Sequence, residues 1–317
     1  MSRFRHFFRR ALFKLRQMFW ARRVDTARRV LAGDQAWQAM DRMGIPGFGT
    51  ELLRLDFLSD ASNVPAWDSR SAVHARLAAI IDRDAAQQAA RFARILAHGG
   101  VLASWPVAKT GESELPWLEN EFLSSLDMVA LYGMVRESAP EHYVEIGSGV
   151  STRVALAAVS DGGLRTQITC FDPQPRVDLP ALKVEHRPLR LESALEQVIR
   201  LATPGSILFF DGSHRSFPGS DVTMFFMEVL PALQPGVLIH IHDIFLPEDY
   251  PSDRGTRYWS EQYLLASWPL GGTRGLEILL PGARLETRTD TSAAIPRPLR
   301  PAAASNTRFS SFWMRKL

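Results

Sequence analysis

Cysteine is nearly missing: Cys170 is the only one in 317 residues. A lone thiol excludes an internal disulfide and any cysteine-rich metal site, and it suits a reducing compartment. No apolar run reaches the roughly 18 residues that a membrane-spanning helix needs, and no signal peptide with a clean apolar core is visible. Internal repeats are missing too, and low complexity is confined to a Pro/Ala-rich stretch at residues 294–304. What is present is ordinary for a soluble globular chain, with 46% hydrophobic and 22% charged residues, enough for one large core plus a smaller helical region.

Acid is locally scarce. The first 30 residues hold ten Lys or Arg against the single acid Asp25, a charge of +9 that leaves −6 for the rest of a chain totalling +3. Within them, Phe4, Phe8, Leu12, Leu15 and Phe19 recur every three or four positions, so residues 3–20 read as a basic amphipathic helix. Such a helix suits an anionic membrane surface, or packs on its own domain or another subunit. Nucleic acid is not expected, because no RNA-reading motif accompanies the charge. The expected location is cytoplasmic, peripheral at the inner face of the membrane where the arm engages it. Oligomeric state is not legible.

Residues 31–114 read as a helical region. A glycine-proline knot lies at residues 44–49, the longest helical pattern runs over 69–98, and a further helix is expected over 118–136. From residue 143 the pattern changes. Strands are predicted at 143–146, 167–171, 182–186, 206–210 and 237–242, with helices near 151–160, 191–202 and 221–233. This alternation predicts a parallel sheet with crossover helices over 115–317. Residues 275–280 and 310–314 read as a later, antiparallel edge pair.

The stretch Tyr143 to Thr152 organises this half: a short apolar strand, a glycine pair (Gly147, Gly149), then a helix. Glycines let backbone approach a ligand, and a helix start offers free N–H groups. The other strand ends close on acids and imidazoles: Asp172, then Asp211 and His214, then His242 and Asp243. In open parallel sheets, ligands bind beyond these carboxyl ends. Asp172 falls near the ~20-residue spacing at which an acid accepts from ribose hydroxyls. That suits a nicotinamide dinucleotide or S-adenosylmethionine. A dinucleotide turn wants a third small residue where Thr152 stands. Glu145, immediately before the turn, would oppose a pyrophosphate and attract a cation. Both points favour S-adenosylmethionine. The competing readings are an NAD(P)-dependent oxidoreductase and a membrane-associated binding protein without catalysis.

Glu145-Ile-Gly147-Ser148-Gly149-Val-Ser151 resembles motif I of the class I S-adenosylmethionine-dependent methyltransferases, with Ser151 in place of the commoner third glycine. Asp172 matches their ribose-binding acid and Asp211 the acid closing strand four. The phrases around Asp211 and His242 are similar to a bacterial subgroup. The resemblance implies a Rossmann-like, doubly wound, seven-stranded methyltransferase sheet whose last strand is antiparallel, here with an N-terminal helical extension. It implies S-adenosylmethionine as cofactor, with Glu145, Gly147, Ser148, Gly149, Ser151, Asp172 and Asp211 facing it, and methylation of a hydroxyl on a small molecule or glycan. His214 and His242 are the expected bases beside Asp211, since imidazole titrates near neutral pH. Metal-using relatives imply a divalent ion such as Mg2+ on Asp211, His242 and Asp243, leaving His214 to take the proton. His240 is expected to be a hydrogen-bonded core histidine. Trp117, Trp259 and Tyr263 are candidate pocket walls, and residues 250–255 a candidate lid.

Overall fold

A computed structural model describes residues 73–109, 114–120, 122–179, 181–251, 257–272, 275–296 and 308–317. The expected arm at 3–20, the glycine-proline knot, the tip of the expected lid and most of the Pro/Ala-rich stretch lie outside the described residues. Helices α1 (Ala75–Ile81) and α2 (Ala85–Ala97) are joined by a tight turn and precede α3 (Ser125–Ser138). Then follow β1 (His142–Ile146), α4 (Val150–Gly162), β2 (Gln167–Phe171), β3 (Glu185–Arg187), α5 (Leu195–Leu201) and β4 (Ile207–Phe210). Helix α6 runs from Asp221–Met224 through a π turn at Phe225–Val229 to Leu230–Ala232. The chain continues with β5 (Leu238–Ile241), α7 (Glu261–Leu270), β6 (Leu276–Pro281), α8 (Gly282–Thr287), α9 (Thr289–Ser292) and β7 (Phe312–Lys316).

The strands form one sheet in the order β3-β2-β1-β4-β5-β7-β6. Strands β1 to β5 are parallel, and β7 runs antiparallel between β5 and β6. This is the expected seven-stranded α/β sheet with helices on both faces. Because strand side chains alternate, Val144, Ile146, Leu208, Phe210, Ile239 and Ile241 bury against α1, α5, α6 and α7. Tyr143, Cys170, Phe209, Trp313 and Leu280 face the other way, toward α2, α3 and α4. Each large apolar side chain buried this way stabilises by about 1.5–3 kcal/mol. Strand order reverses between β1 and β4, and in open sheets of this kind ligands bind beyond the carboxyl ends at that point.

Two expected boundaries moved for local reasons. The helix expected at 118–136 begins only at Ser125, because the Asn120 side chain accepts from the N–H groups of Phe122 and Leu123. That Asx-type turn competes with helix. Ser124 then starts α3 in a reciprocal capping box with Asp127. The pattern over 69–98 is broken at Asp82–Asp84. Helices α1 and α2 pack onto the sheet itself: Gln88 donates to the carbonyls of Ile81 and Ile278, and Asp82 pairs with Arg284.

Candidate active site

At the end of β1 the chain turns at Gly147, with φ of 82°. Its N–H donates to Phe171 at 3.1 Å, and the Asp211 N–H donates to Ile146 at 3.0 Å, so the turn is pinched between the ends of β2 and β4. A Cβ on Gly147 would lie 2.0 Å from the Asp211 carbonyl oxygen. Backbone cannot yield there without opening the sheet. Gly147→Ala is therefore expected to destabilise the fold by at least about 2 kcal/mol, seen as a lower urea midpoint. Gly149 is the opposite case, since a Cβ there would meet nothing within 4 Å. Gly149→Ala should leave the midpoint unmoved.

Glu145 does not face this opening. It is fully buried, and its oxygens accept from Ser151 Oγ at 2.5 Å, Thr152 Oγ1 at 2.6 Å and Cys170 Sγ at 3.4 Å. Burial raises its pKa to about 7 against the pull of those bonds. Glu145 and Ser151, expected as cofactor contacts, here bond to each other and tie the first turn of α4 to β1. Thr152 Oγ1 also accepts from the Gly149 N–H at 3.2 Å, which is the use of a β-branched residue at that place. Asp172 sits as expected at the end of β2. It accepts from the N–H groups of Ser148 and Gln174, both at 2.7 Å, and each carboxylate oxygen keeps a free lone pair.

Beside the turn, the segments after β4 and β5 bring four expected residues together. His214 and Asp243 both lie in the left-handed backbone region, with φ of 63° and 58°. Such strain costs about 1–3 kcal/mol per residue and persists only where surrounding contacts enforce it. His214 Nε2 is 3.5 Å from Asp211 and 3.7 Å from Asp243, and its Nδ1 is 2.6 Å from Glu261 Oε1. Burial disfavours the imidazolium, but the carboxylates of Glu261, Asp211 and Asp243 outweigh it and raise His214 to about 9. Asp211, His214 and Asp243 stand close enough to share one metal ion.

His242 has a different setting. It lies on the α3 side of the sheet, 2% exposed, with Nε2 3.7 Å from Asp127 and Nδ1 3.8–3.9 Å from Asp243 and Asp211. Burial again opposes its charge, yet Asp243, Asp127 and Asp211 together raise it to about 10. Of the two expected bases His242 is the more enclosed, walled in by Asp127, Asp211 and Asp243. Where the sequence expectation for a metal named His242 with Asp211 and Asp243, the group whose ligand atoms lie close enough for one ion holds His214 instead. Asp127 is itself anchored by Ser124, by the N–H groups of Ser310 and Ser311, and by Ser311 Oγ.

His240 is buried as expected but finds no hydrogen-bond partner among the described residues. It is held between the Trp313 ring, stacked at 4.1 Å, and the edge of Phe209. Burial and the His242 charge hold its pKa far below the usual range, so it stays neutral. Trp259 packs against His214 with ring centroids 4.0 Å apart, tilted by 33°, and forms one wall. Tyr250 is buried against Trp259, unlike a lid residue, while Tyr263 is exposed and donates to Asp249. Trp117 lies under the cations of Lys109 and Arg153, away from the imidazoles.

The sequence reading missed Glu261 and Asp127. Glu261 looks like an ordinary first-turn acid of α7, and Asp127 like the third residue of a capping box. No linear signal marks either as facing an imidazole.

Residues 144–244 match the sequence model of a family described as a methyltransferase domain. No curated protein matches the chain. Among solved structures, the SAH-bound methyltransferase PaMTH1 of Podospora anserina is 14% identical, over 71% of this chain and 88% of that one, with a TM-score of 0.41. An O-methyltransferase of Bacillus cereus, in complex with SAH, is 14% identical over 72% and 90%, with a TM-score of 0.39. The O-methyltransferase TomG of Streptomyces achromogenes, in complex with SAM, is 15% identical over 63% and 82%, with a TM-score of 0.37.

Proposed function

We propose that this methyltransferase domain transfers the methyl group of S-adenosylmethionine to a hydroxyl oxygen of a small molecule or glycan. The observation that carries the reading is the charge around the crevice. Four carboxylates (Asp127, Asp211, Asp243 and Glu261) surround two imidazoles, and the Asp211 backbone abuts the glycine turn. A net negative crevice favours a sulfonium cation and opposes a diphosphate. This replaces the role that the sequence suggested for Glu145. The open space over Gly149 and the free lone pairs of Asp172 fit a nucleoside whose ribose lies across the turn.

Bound S-adenosylmethionine supplies an electrophilic methyl group. The chain has to hold an acceptor hydroxyl in line with it and take its proton. We assign the proton to His214 Nε2, the imidazole nitrogen not spent on Glu261. A divalent ion such as Mg2+ suits the oxygen donors Asp211 and Asp243 and would lower the pKa of the acceptor hydroxyl. His214 completes that donor set, but one nitrogen cannot both bind a cation and accept a proton. Cofactor identity is tested by melting the protein with S-adenosylhomocysteine and with NAD. At about 100 times Kd the former should add about 2.7 kcal/mol, and NAD should add nothing. Stabilisation by NAD alone would overturn the reading. Asp172→Ala should remove most of the S-adenosylhomocysteine shift.

By sequence the chain divides into a basic arm (1–30), a helical region (31–114) and the catalytic region (115–317). No helix among the described residues is long and apolar enough to cross a membrane. The arm is our candidate for contact with an anionic membrane surface, supported by its stripe of phenylalanine and leucine among arginines. Removing residues 1–30 should abolish binding to anionic liposomes and leave cofactor affinity intact.

A further inference from the structure

The grip on His214 comes from a segment beyond the matched region 144–244, at the start of α7. Three consecutive residues hold it in three ways. The Trp259 ring packs against the imidazole, tilted by 33°, with centroids 4.0 Å apart. The Ser260 N–H donates to the His214 carbonyl at 2.8 Å, and Ser260 Oγ accepts from the Ser216 N–H at 2.8 Å. Glu261 Oε1 meets His214 Nδ1 at 2.6 Å. A further bond, from Arg215 Nε to the Arg257 carbonyl at 2.8 Å, fastens the same two loops.

Glu261 is unusual for an acid in the first turn of a helix, because such acids normally sit in solvent facing the free N–H groups. This one is 0% exposed. Its Oε2 is buried without a hydrogen-bond partner among the described residues, and Oε1 is spent on His214. Burying a carboxylate costs several kcal/mol unless its bonds return it. A residue that served only to start α7 would not need that burial, since Asp or Ser in solvent would do as well. The single contact that Glu261 makes through its side chain therefore accounts for its position.

We propose that Glu261 is the positioning residue of the site: it holds the His214 ring through Nδ1 so that Nε2 faces Asp211, Asp243 and the acceptor. The inference rests on His214 being the proton acceptor. It assigns a role in catalysis to a residue outside the motifs that identify the domain. With Nδ1 committed to Glu261, the ring cannot flip, and the left-handed backbone at His214 is kept by the same clasp.

The test is proton NMR of the full-length protein at low temperature, with His214→Gln to assign the signal. The wild type should show one exchange-protected, far-downfield ring proton from His214 Nδ1. Glu261→Gln keeps an acceptor oxygen at the same reach, so the resonance should persist at a smaller downfield shift. Glu261→Ala should lose it. All three proteins should show the same rise in melting temperature with S-adenosylhomocysteine, since Glu261 is not assigned to the cofactor. A resonance unchanged in Glu261→Ala, or lost equally in Glu261→Gln, overturns the proposal. If the alanine variant does not fold, a glutamine variant whose resonance is unmoved or lost overturns it. If S-adenosylhomocysteine stabilises none of the three while the resonance behaves as expected, the methyltransferase reading fails and the ring-holding role stands.

Discussion

Asp127→Ala is expected to cost about 3–5 kcal/mol, the range found when one partner of a buried charged pair is removed. The alanine would take one of three carboxylates from His242 at 2% exposure and leave the N–H groups of Ser310 and Ser311 without their acceptor. Those two serines lead into β7, so the loss spreads to the strand between β5 and β6. Against a total stability of about 5–15 kcal/mol, the variant should sit near the edge of unfolding in urea. Adding His242→Gln removes the charge that has lost its Asp127 partner and should recover part of the loss. If the double variant were no more stable than the single one, charge pairing would not be what Asp127 supplies. The pH dependence follows the same pair. The nearby His242 imidazole and hydrogen bonds from Ser124 and Ser311 hold the Asp127 pKa below its ordinary value, despite burial. A lowered folded pKa gives stability that is complete above the ordinary carboxylate range and is lost as pH falls through the folded value. Acid unfolding should therefore begin below about pH 4, and Asp127→Asn should flatten that limb.

His214→Ala should reduce turnover by about 10²–10⁴, the usual worth of a positioned proton acceptor. It should change the melting shift with S-adenosylhomocysteine little. The readout is release of S-adenosylhomocysteine in the presence of an acceptor that the wild type methylates. The contrast is with Asp172→Ala, which should lose the cofactor first. Equal loss of turnover and of cofactor binding in His214→Ala would remove its role as base and make it part of the cofactor wall. His242→Gln, by comparison, should act mainly on stability, because its imidazole is walled off behind Asp127, Asp211 and Asp243.

Much of this architecture was legible in the chain. The central strands are short apolar runs because both of their faces are covered, and glycine-proline pairs punctuate the helices between them. Their acid and imidazole ends were visible for the same reason, as polar residues interrupting buried runs. The direction of Glu145 was not visible. It stands beside the glycine turn in sequence, but strand alternation points it at α4, where Ser151 and Thr152 supply two short hydroxyl donors. The two bases looked equivalent on paper. They separate only because β5 carries His242 to the α3 side and Asp127, while the loop after β4 swings His214 toward α7 and Glu261.

The sequence by itself determined the parallel sheet, the glycine turn, the acid at the end of β2 and the rim on which the chemistry stands. Those features are written in local patterns of period, spacing and turn chemistry. Tertiary structure alone decided which imidazole is clasped by Glu261 beside Asp211 and Asp243 and which is enclosed behind Asp127. A histidine's setting depends on the carboxylates within a few ångströms of it, and here the distinguishing ones come from helices 115 residues before, Asp127 for His242, and 47 residues after, Glu261 for His214.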